Sequence, residues 1–271
     1  MNIKDLKTDN RHGDWYLYEP LDAQYVRYIK DNPSALAAGH KIDDVYHTFC
    51  DARGSMMSVD YENYGDLCAN DEFSILYTKS KFLKLALIDY AICLDLSWQV
   101  IWAYIQPSSF AYLVNQNYKE MEQWCDSETV HTQLNCVISQ QKSGDQQMQE
   151  DSEAIKIKEL LTKFENDNVV IKVRKIYNSL KHRGTLHFKE LEDENLYKFY
   201  FDKSVELPLQ REAYSIEEIQ SLLLEYHDRF VDYFNELIGI IMPVDYMVNR
   251  AGVVDYKLIV SEISKIQNAP N

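Results

Sequence analysis

The sequence predicts a mainly α-helical protein, an antiparallel helical bundle with a small β-hairpin inserted between its last two long helices. The 271 residues include only 8 glycines and 6 prolines, too few turn formers for a loop-rich β-sandwich. Residues 74–105 form a long apolar stretch that contains neither residue type. Residues 153–182 and 216–242 repeat apolar residues at the spacing of an amphipathic helix.

The first 70 residues predict a different kind of structure from the rest of the chain. They are rich in aromatic residues and show poor periodicity, so we expect an irregular N-terminal arm with short helices, one of them near 21–30. The helical bundle is expected over residues 71–245. A C-terminal short helix near 254–266 and a tail complete the chain within residues 246–271.

The stretch 74–105 is apolar almost all round, as expected for a central helix surrounded by others. It ends before Pro107, which cannot continue a helix. Weaker helical patterns follow at 110–125 and 128–141, and the polar sequence KSGDQQMQEDS predicts a linker.

Two amphipathic helices are predicted after this linker. Ser152 is placed to cap the first and Asp167 the second, with Gly184 as the stop. The segments TLHFKEL and NLYKFYFDKSVEL then predict the two strands of the hairpin, joined by an acidic turn at 192–195. Ser215 and Glu218 form a capping box that opens the last long helix, which ends near Pro243.

The charge, the cysteines and the hydropathy of the chain indicate what it binds and where it works. The chain carries 28 Lys and Arg against 43 Asp and Glu, a formal net charge of −15 that disfavours indiscriminate coating of DNA. Its 5 cysteines include no CxxC pair, which is typical of a reducing compartment. The N-terminal MNIKDLKTDN has no apolar signal core, and Asp89 and Asp95 interrupt the most apolar stretch. We therefore expect a cytoplasmic protein that does not enter a membrane.

Four common cofactor-binding and catalytic motifs are missing from the sequence. GxxxxGK[ST], GxGxxG, HExxH and GxSxG are all absent, so no cofactor is expected. Residues His40, His47, Cys50, Asp51 and Cys68 could ligate zinc, but their spacing fits no pattern of paired ligands. No metal site is predicted.

The stretch KIYNSLKHRGTLHF, residues 175–188, contains the residues that are the best candidates for a site. No acidic residue lies between Asp167 and Glu190, whereas six cations do: Lys172, Arg174, Lys175, Lys181, Arg183 and Lys189. At about 100° per residue, Arg174, Asn178, Lys181 and His182 lie roughly 80° to 180° from the centre of the apolar face. This basic flank predicts an anion-binding surface. Alternatively, its cations only complement the negative end of the helix dipole.

The long apolar helix, its antiparallel partner and the later N-x-x-K-H-R-G sequence resemble the HEPN superfamily (higher eukaryotes and prokaryotes nucleotide-binding). The resemblance covers about residues 74–242. It implies a helical bundle that is often a homodimer. It also implies either a ribonuclease of a toxin, antiphage or CRISPR system or a protein that assists a partner nucleotidyltransferase.

The family's active motif is an arginine, a polar residue, a three-residue spacer and a histidine. Here Asn178 and His182 match it, but Tyr177 occupies the arginine position and cannot supply a positive charge. The resemblance implies catalytic roles for His182 and Asn178. Two substitutes for the missing cation are open: Arg174, one turn before Asn178 on the same flank, or Arg183, which forms a second Arg/His pair with His187. Lys181, Arg183, His187 and Tyr177 are the expected binding residues, and Asp89 is expected to support them from the facing helix.

Two functions follow from these residues. The first is binding of RNA or a nucleotide phosphate, with metal-independent endoribonuclease activity if His182 acts as general acid or base beside a cation. The second is a non-catalytic helical interaction module that dimerises or docks a partner protein.

Overall fold

The computed structural model describes residues 2–29, 31–105, 125–142, 152–191 and 212–247, with Val260 and Ser264. The described part of the chain is mainly helical. Its helices are α1 (Ile3–Thr8), α2 (Asp22–Tyr28), α3 (Pro33–Ser58), α4 (Glu72–Ile105), α5 (Ser127–Lys142), α6 (Glu153–Glu165), α7 (Asn168–His182) and α8 (Ile216–Ile241). Short 3₁₀ turns cover Trp15–Tyr18, Tyr64–Asp66 and Lys189–Leu191, and two strands complete the set: β1 (His187–Phe188) and β2 (Ala213–Tyr214).

The predicted helices of the second half are confirmed where the structure describes them, and most of their caps are as expected. Asp167 accepts a hydrogen bond from the Val169 backbone N–H at 2.8 Å. The Ser215 hydroxyl accepts from the Glu218 N–H at 3.0 Å, while the Glu218 carboxylate accepts from the Ser215 N–H at 2.7 Å. Ser152 occupies the N-cap of α6 but makes no side-chain capping bond.

The structure differs from the prediction over residues 33–58, where the expected irregular arm is a 26-residue helix. Seven buried residues of α3 recur in steps of three and four: Ala35, Ala38, Ile42, Val45, Phe49, Ala52 and Met56. Leu36, Ala37 and Lys41 near its start are buried as well. Position 39 inside this helix has room only for glycine. A Cβ there would come within 2.5 Å of the Tyr18 carbonyl oxygen and 2.7 Å of the Tyr246 hydroxyl. A glycine that looks like a helix breaker is here required by a close approach.

The predicted β-hairpin is wrong. β1 pairs with β2 in parallel, with His187 opposite Ala213 and Phe188 opposite Tyr214. Parallel strands need a crossover connection and cannot be joined by a tight turn. After β1 the chain enters the 3₁₀ turn 189–191, where Glu190 accepts a hydrogen bond from the Ile216 N–H at 2.9 Å, which ties that turn to the start of α8.

Four sequence predictions lie wholly or mainly outside the described residues. These are the helix at 110–125, the linker 142–152, the second hairpin segment 195–207 and the helix at 254–266. The predicted boundaries of the arm, bundle and tail stay predictions.

The chain divides into two compact units, and each is described by itself. Unit 1 comprises residues 1–9, 49–91 and 167–228; unit 2 comprises residues 10–48, 92–166 and 229–271.

The core of unit 1 contains a buried polar relay formed by Asp9, His227 and Tyr90. His227 Nε2 donates to the Asp9 carboxylate at 3.1 Å, and Nδ1 lies 2.8 Å from the Tyr90 hydroxyl. The His227 side chain is 0% exposed and that of Asp9 is 5% exposed. Phe49 packs on the imidazole with 4.8 Å between ring centroids, and the guanidinium of Arg53 donates to the backbone carbonyls of Leu6 and Asp9 at the end of α1. The relay therefore holds the first helix in the core.

Unit 2 has its own core and its own polar junction at Glu165. Trp15 packs edge-on against Phe234 with 4.7 Å between centroids. The Glu165 carboxylate accepts hydrogen bonds from Trp98 Nε1 at 2.9 Å, Ser127 Oγ at 2.8 Å and His131 Nε2 at 2.6 Å. One carboxylate thus joins α4, α5 and α6.

By length and composition alone, α4 could cross a membrane. Its most apolar 18 residues have a mean hydropathy of 1.4, and 61% of that window is buried within the protein. The core helix of a soluble protein meets the same criteria, so this feature is weak evidence for a membrane span.

Candidate basic patch at the end of helix α7

Helix α7 presents its apolar face to the core of unit 1, and four of the predicted site residues at its end are exposed to solvent. Val169, Val170, Val173 and Ile176 are buried. Asn178, Lys181, His182 and Arg183 are exposed in the last turn and at the C-cap. We call these four residues the basic patch. The position of the patch at a helix C-terminus is also the one where cations offset the helix dipole.

Arg174 and Tyr177 lie together beside the patch. The Arg174 guanidinium carbon is 5.7 Å from the centroid of the Tyr177 ring, and both side chains are half-buried. This is cation–π geometry, which holds Arg174 against Tyr177. Arg174 and Asn178 are one helical turn apart, so a phosphate at Asn178 would also lie near this guanidinium.

The six cations between Asp167 and Glu190 have different surroundings. Lys175 lies 3.7 Å from the Glu212 carboxylate, and Lys189 lies 2.9 Å from that of Glu218. Lys172 lines a cavity of about 510 Å³ between the starts of α7 and α8, together with three glutamates: Glu217, Glu218 and Glu225. Lys181 and Arg183 at the other end of α7 are therefore the better candidates for an external anion.

The structure adds Lys84, which sequence reasoning missed as a site residue. Its Nζ donates to the Thr185 hydroxyl at 3.1 Å, so α4 meets the segment that follows α7. No acidic residue lies between Glu72 and Asp89 of α4, whereas Lys79, Lys81 and Lys84 do. This bond therefore joins two acid-free segments of an acidic chain. The absence of acidic residues between Glu72 and Asp89 was the sequence feature that could have indicated Lys84 as a site residue.

The four residues of the basic patch are exposed and line neither the cavity at the start of α7 nor a smaller one beside it. A small cavity of about 30 Å³ beside α7 is lined by Ser179, Thr185 and Tyr214, among others, but not by Asn178 or His182. An exposed imidazole, an amide and two cations can bind a phosphate and exchange a proton with a ligand. They do not exclude water by themselves.

His187 and Asp89 lie on other elements than the four residues of the patch. His187 belongs to β1 and is half-buried. Asp89 is half-buried on α4, where desolvation, and secondarily the charge of Asp51, raises the pKa of its carboxyl to about 6. Asp51 lies on α3, so the described electrostatic neighbour of Asp89 is a carboxylate of that helix.

Asp89→Asn is expected to stabilise the protein by about 1 kcal/mol at pH 7, after allowance for solvent screening of a half-exposed group. The folded pKa of about 6 lies above the ordinary value of 3.8. Stability from protonated Asp89 is therefore present below about pH 4 and lost as the pH rises to about 6. Urea unfolding at pH 7 and pH 4 measures this, with exposed Asp60→Asn as the control. Equal effects of Asp89→Asn at the two pH values would contradict the assignment.

Among the described residues, no group of three or more His, Cys, Asp or Glu side chains is arranged to hold a metal ion. His40 shares a hydrogen bond with the Tyr25 hydroxyl at 2.6 Å, and His47 pairs with Asp43 at 3.5 Å.

No protein-family model, curated protein or solved structure matches the chain.

Proposed function

We propose that this protein is a cytoplasmic HEPN-like antiparallel helical bundle that binds RNA, or a nucleotide phosphate, at the basic patch. The observation that carries the proposal is the hydrogen bond between Lys84 and Thr185, which brings a second acid-free segment to the patch. In a chain of net charge −15, such a cluster favours a local anion. Lys181 and Arg183 are exposed there beside Asn178 and His182.

Binding is tested with a fluorescein-labelled unstructured RNA, its anisotropy being measured over a series of salt concentrations. The double variant Lys181→Ala/Arg183→Ala is expected to bind RNA about tenfold more weakly. A plot of the logarithm of its binding constant against the logarithm of the salt concentration should be less steep by about 1.4, roughly 0.7 for each phosphate that is no longer neutralised. Lys163→Ala is the matched control, since Lys163 is an exposed lysine in the last turn of α6.

These variants separate ligand binding from the dipole effect. If the lysines only offset helix dipoles, Lys181→Ala and Lys163→Ala will lower stability by similar small amounts and leave the anisotropy unchanged. An unchanged RNA affinity of the double variant would overturn the binding proposal.

Metal-independent RNA cleavage is the catalytic form of this proposal, favoured by the exposed imidazole of His182 one turn from Asn178. In this reaction the 2′-hydroxyl loses its proton to a base and attacks the neighbouring phosphorus. The bond to the 5′-oxygen breaks, and that oxygen takes up a proton. His182 would transfer one of these protons, Asn178 would hydrogen-bond a phosphate oxygen, and Arg174 would offset the developing negative charge.

Incubation of a mixed tRNA and small-RNA pool with the protein in EDTA tests cleavage directly. Cleavage by the wild-type protein and not by His182→Ala would support it. Equal cleavage by both would assign the activity elsewhere, and no cleavage by either would leave binding alone.

The second candidate is a non-catalytic module that forms a homodimer or docks a partner protein such as a nucleotidyltransferase. Tyr177 at the arginine position favours it, since the residue cannot offset phosphate charge. Sedimentation of the purified protein measures self-association, and co-purification measures a partner.

A further inference from the structure

The first half of α4 carries an exposed pair of aromatic rings. Phe73 is 62% exposed and Tyr77 is 47% exposed. Their rings are nearly parallel, with 6.3 Å between centroids and 16° between planes. The Lys81 ammonium lies 4.7 Å from the Tyr77 centroid. Exposed large rings next to an ammonium are the elements of a surface that stacks bases and contacts phosphates.

The two rings are aligned with Lys84. At about 100° per residue, positions 73, 77 and 84 fall within about 40° of one another on the helix. Seven residues separate Tyr77 from Lys84, a rise of about 10 Å. A strand stacked at about 3.4 Å per nucleotide covers that distance in roughly three nucleotides. Lys84 in turn contacts Thr185, directly after the basic patch.

We propose that α4 binds single-stranded RNA, with a base stacked on the Phe73–Tyr77 pair and phosphates along Lys81 and Lys84 toward the basic patch. This inference rests on the proposed RNA binding and extends it to a second element and to one class of RNA. A duplex keeps its bases stacked on one another, so only an unpaired strand can place a base on these rings. Asp71 and Glu72 end the acid-free segment and limit the strand at Phe73.

Charge distinguishes this occupant from a second copy of the chain. In a two-fold interface the same surface meets itself, so the segment 73–88 with Lys79, Lys81 and Lys84 would approach the equally basic segment of the other copy. No carboxylate between residues 73 and 88 is available to offset them. Like charges facing each other disfavour such a contact, whereas an RNA backbone complements them.

The test measures the anisotropy of two fluorescein-labelled probes of about eight residues, an oligoadenylate and an abasic ribose–phosphate strand. The variant Phe73→Leu/Tyr77→Leu keeps apolar side chains and removes the rings. It is expected to bind oligoadenylate about tenfold more weakly and the abasic strand within about twofold of the wild type. Tyr16→Leu is the matched control, since Tyr16 is equally exposed, at 47%, and its ring packs against that of Tyr46 outside α4.

Each other outcome overturns the inference in a distinguishable way. If the double leucine variant binds oligoadenylate as the wild type does, while Lys181→Ala/Arg183→Ala does not, stacking on α4 is wrong and RNA binding at the patch stands. If wild-type protein binds neither probe, both proposals fail. An equal loss for both probes assigns the rings a structural role. A change in sedimentation of the leucine variant assigns them to a protein contact.

Discussion

Replacing His227 with alanine is expected to lower the free energy of unfolding by about 4 kcal/mol. The imidazole is fully buried and uses both ring nitrogens, one on Asp9 and one on Tyr90. Its removal leaves the buried Asp9 carboxylate without its imidazole donor and opens a cavity under the ring of Phe49. Removing a hydrogen-bond partner from a buried carboxylate costs far more than losing a surface ion pair.

Urea unfolding followed by circular dichroism measures this change. The matched control is His47→Ala, because His47 also pairs with an aspartate, at 3.5 Å, but its side chain is 69% exposed. We expect His47→Ala to change stability by less than about 0.5 kcal/mol. A change below about 1 kcal/mol for His227→Ala would show that the relay does not hold α1 in the core.

Glu165→Ala is expected to lower the free energy of unfolding by about 3 kcal/mol. The variant removes the acceptor of three hydrogen bonds, from Trp98, Ser127 and His131. The Glu165 side chain is only 20% exposed, so water replaces these bonds incompletely. Because the donors lie on α4 and α5, the loss should appear as weakened packing of α6 against both helices.

Glu165→Gln separates the charge of this junction from its shape. Glutamine keeps one carbonyl oxygen for Trp98 or Ser127, so we expect a loss of about 1 kcal/mol, clearly smaller than that of alanine. Glu159→Ala, an exposed glutamate on the same helix, is the control and should be near neutral. Equal effects of the alanine and glutamine variants would mean that the carboxylate charge, rather than the number of hydrogen bonds, stabilises the junction.

The helices that sequence patterns predicted best are those whose buried face is made of large residues. α4 is a long apolar run, and α8 has large apolar residues at helical spacing behind a capping box. α3 has the same spacing, but alanines make up much of its buried face and two glycines interrupt it, so its pattern is weak. The parallel strand pair was not predictable from local turns, because residues 189–212 separate its two strands in the sequence.

The candidate site was predicted only as far as one helix extends. The spacing within α7 sufficed to place Asn178, Lys181 and His182 on the side away from the apolar face. The contribution of Lys84 depends on a tertiary contact over a separation of 101 residues, which helical periodicity does not encode. The sequence did not predict the Phe73–Tyr77 pair for another reason. Aromatic residues in an apolar helix are usually buried, whereas these two are exposed.

The Asp9–His227 hydrogen bond spans 218 residues, and this separation constrains how the protein folds as it is synthesised. The segment 2–9 leaves the ribosome long before its buried partner His227, which is translated 218 residues after Asp9. Until then Asp9 is satisfied by water, and α1, a helix of six residues, is too short to persist alone. Contacts of such long range close late and fold slowly. The N-terminal segment should therefore become protected from proteases only after His227 has left the exit tunnel.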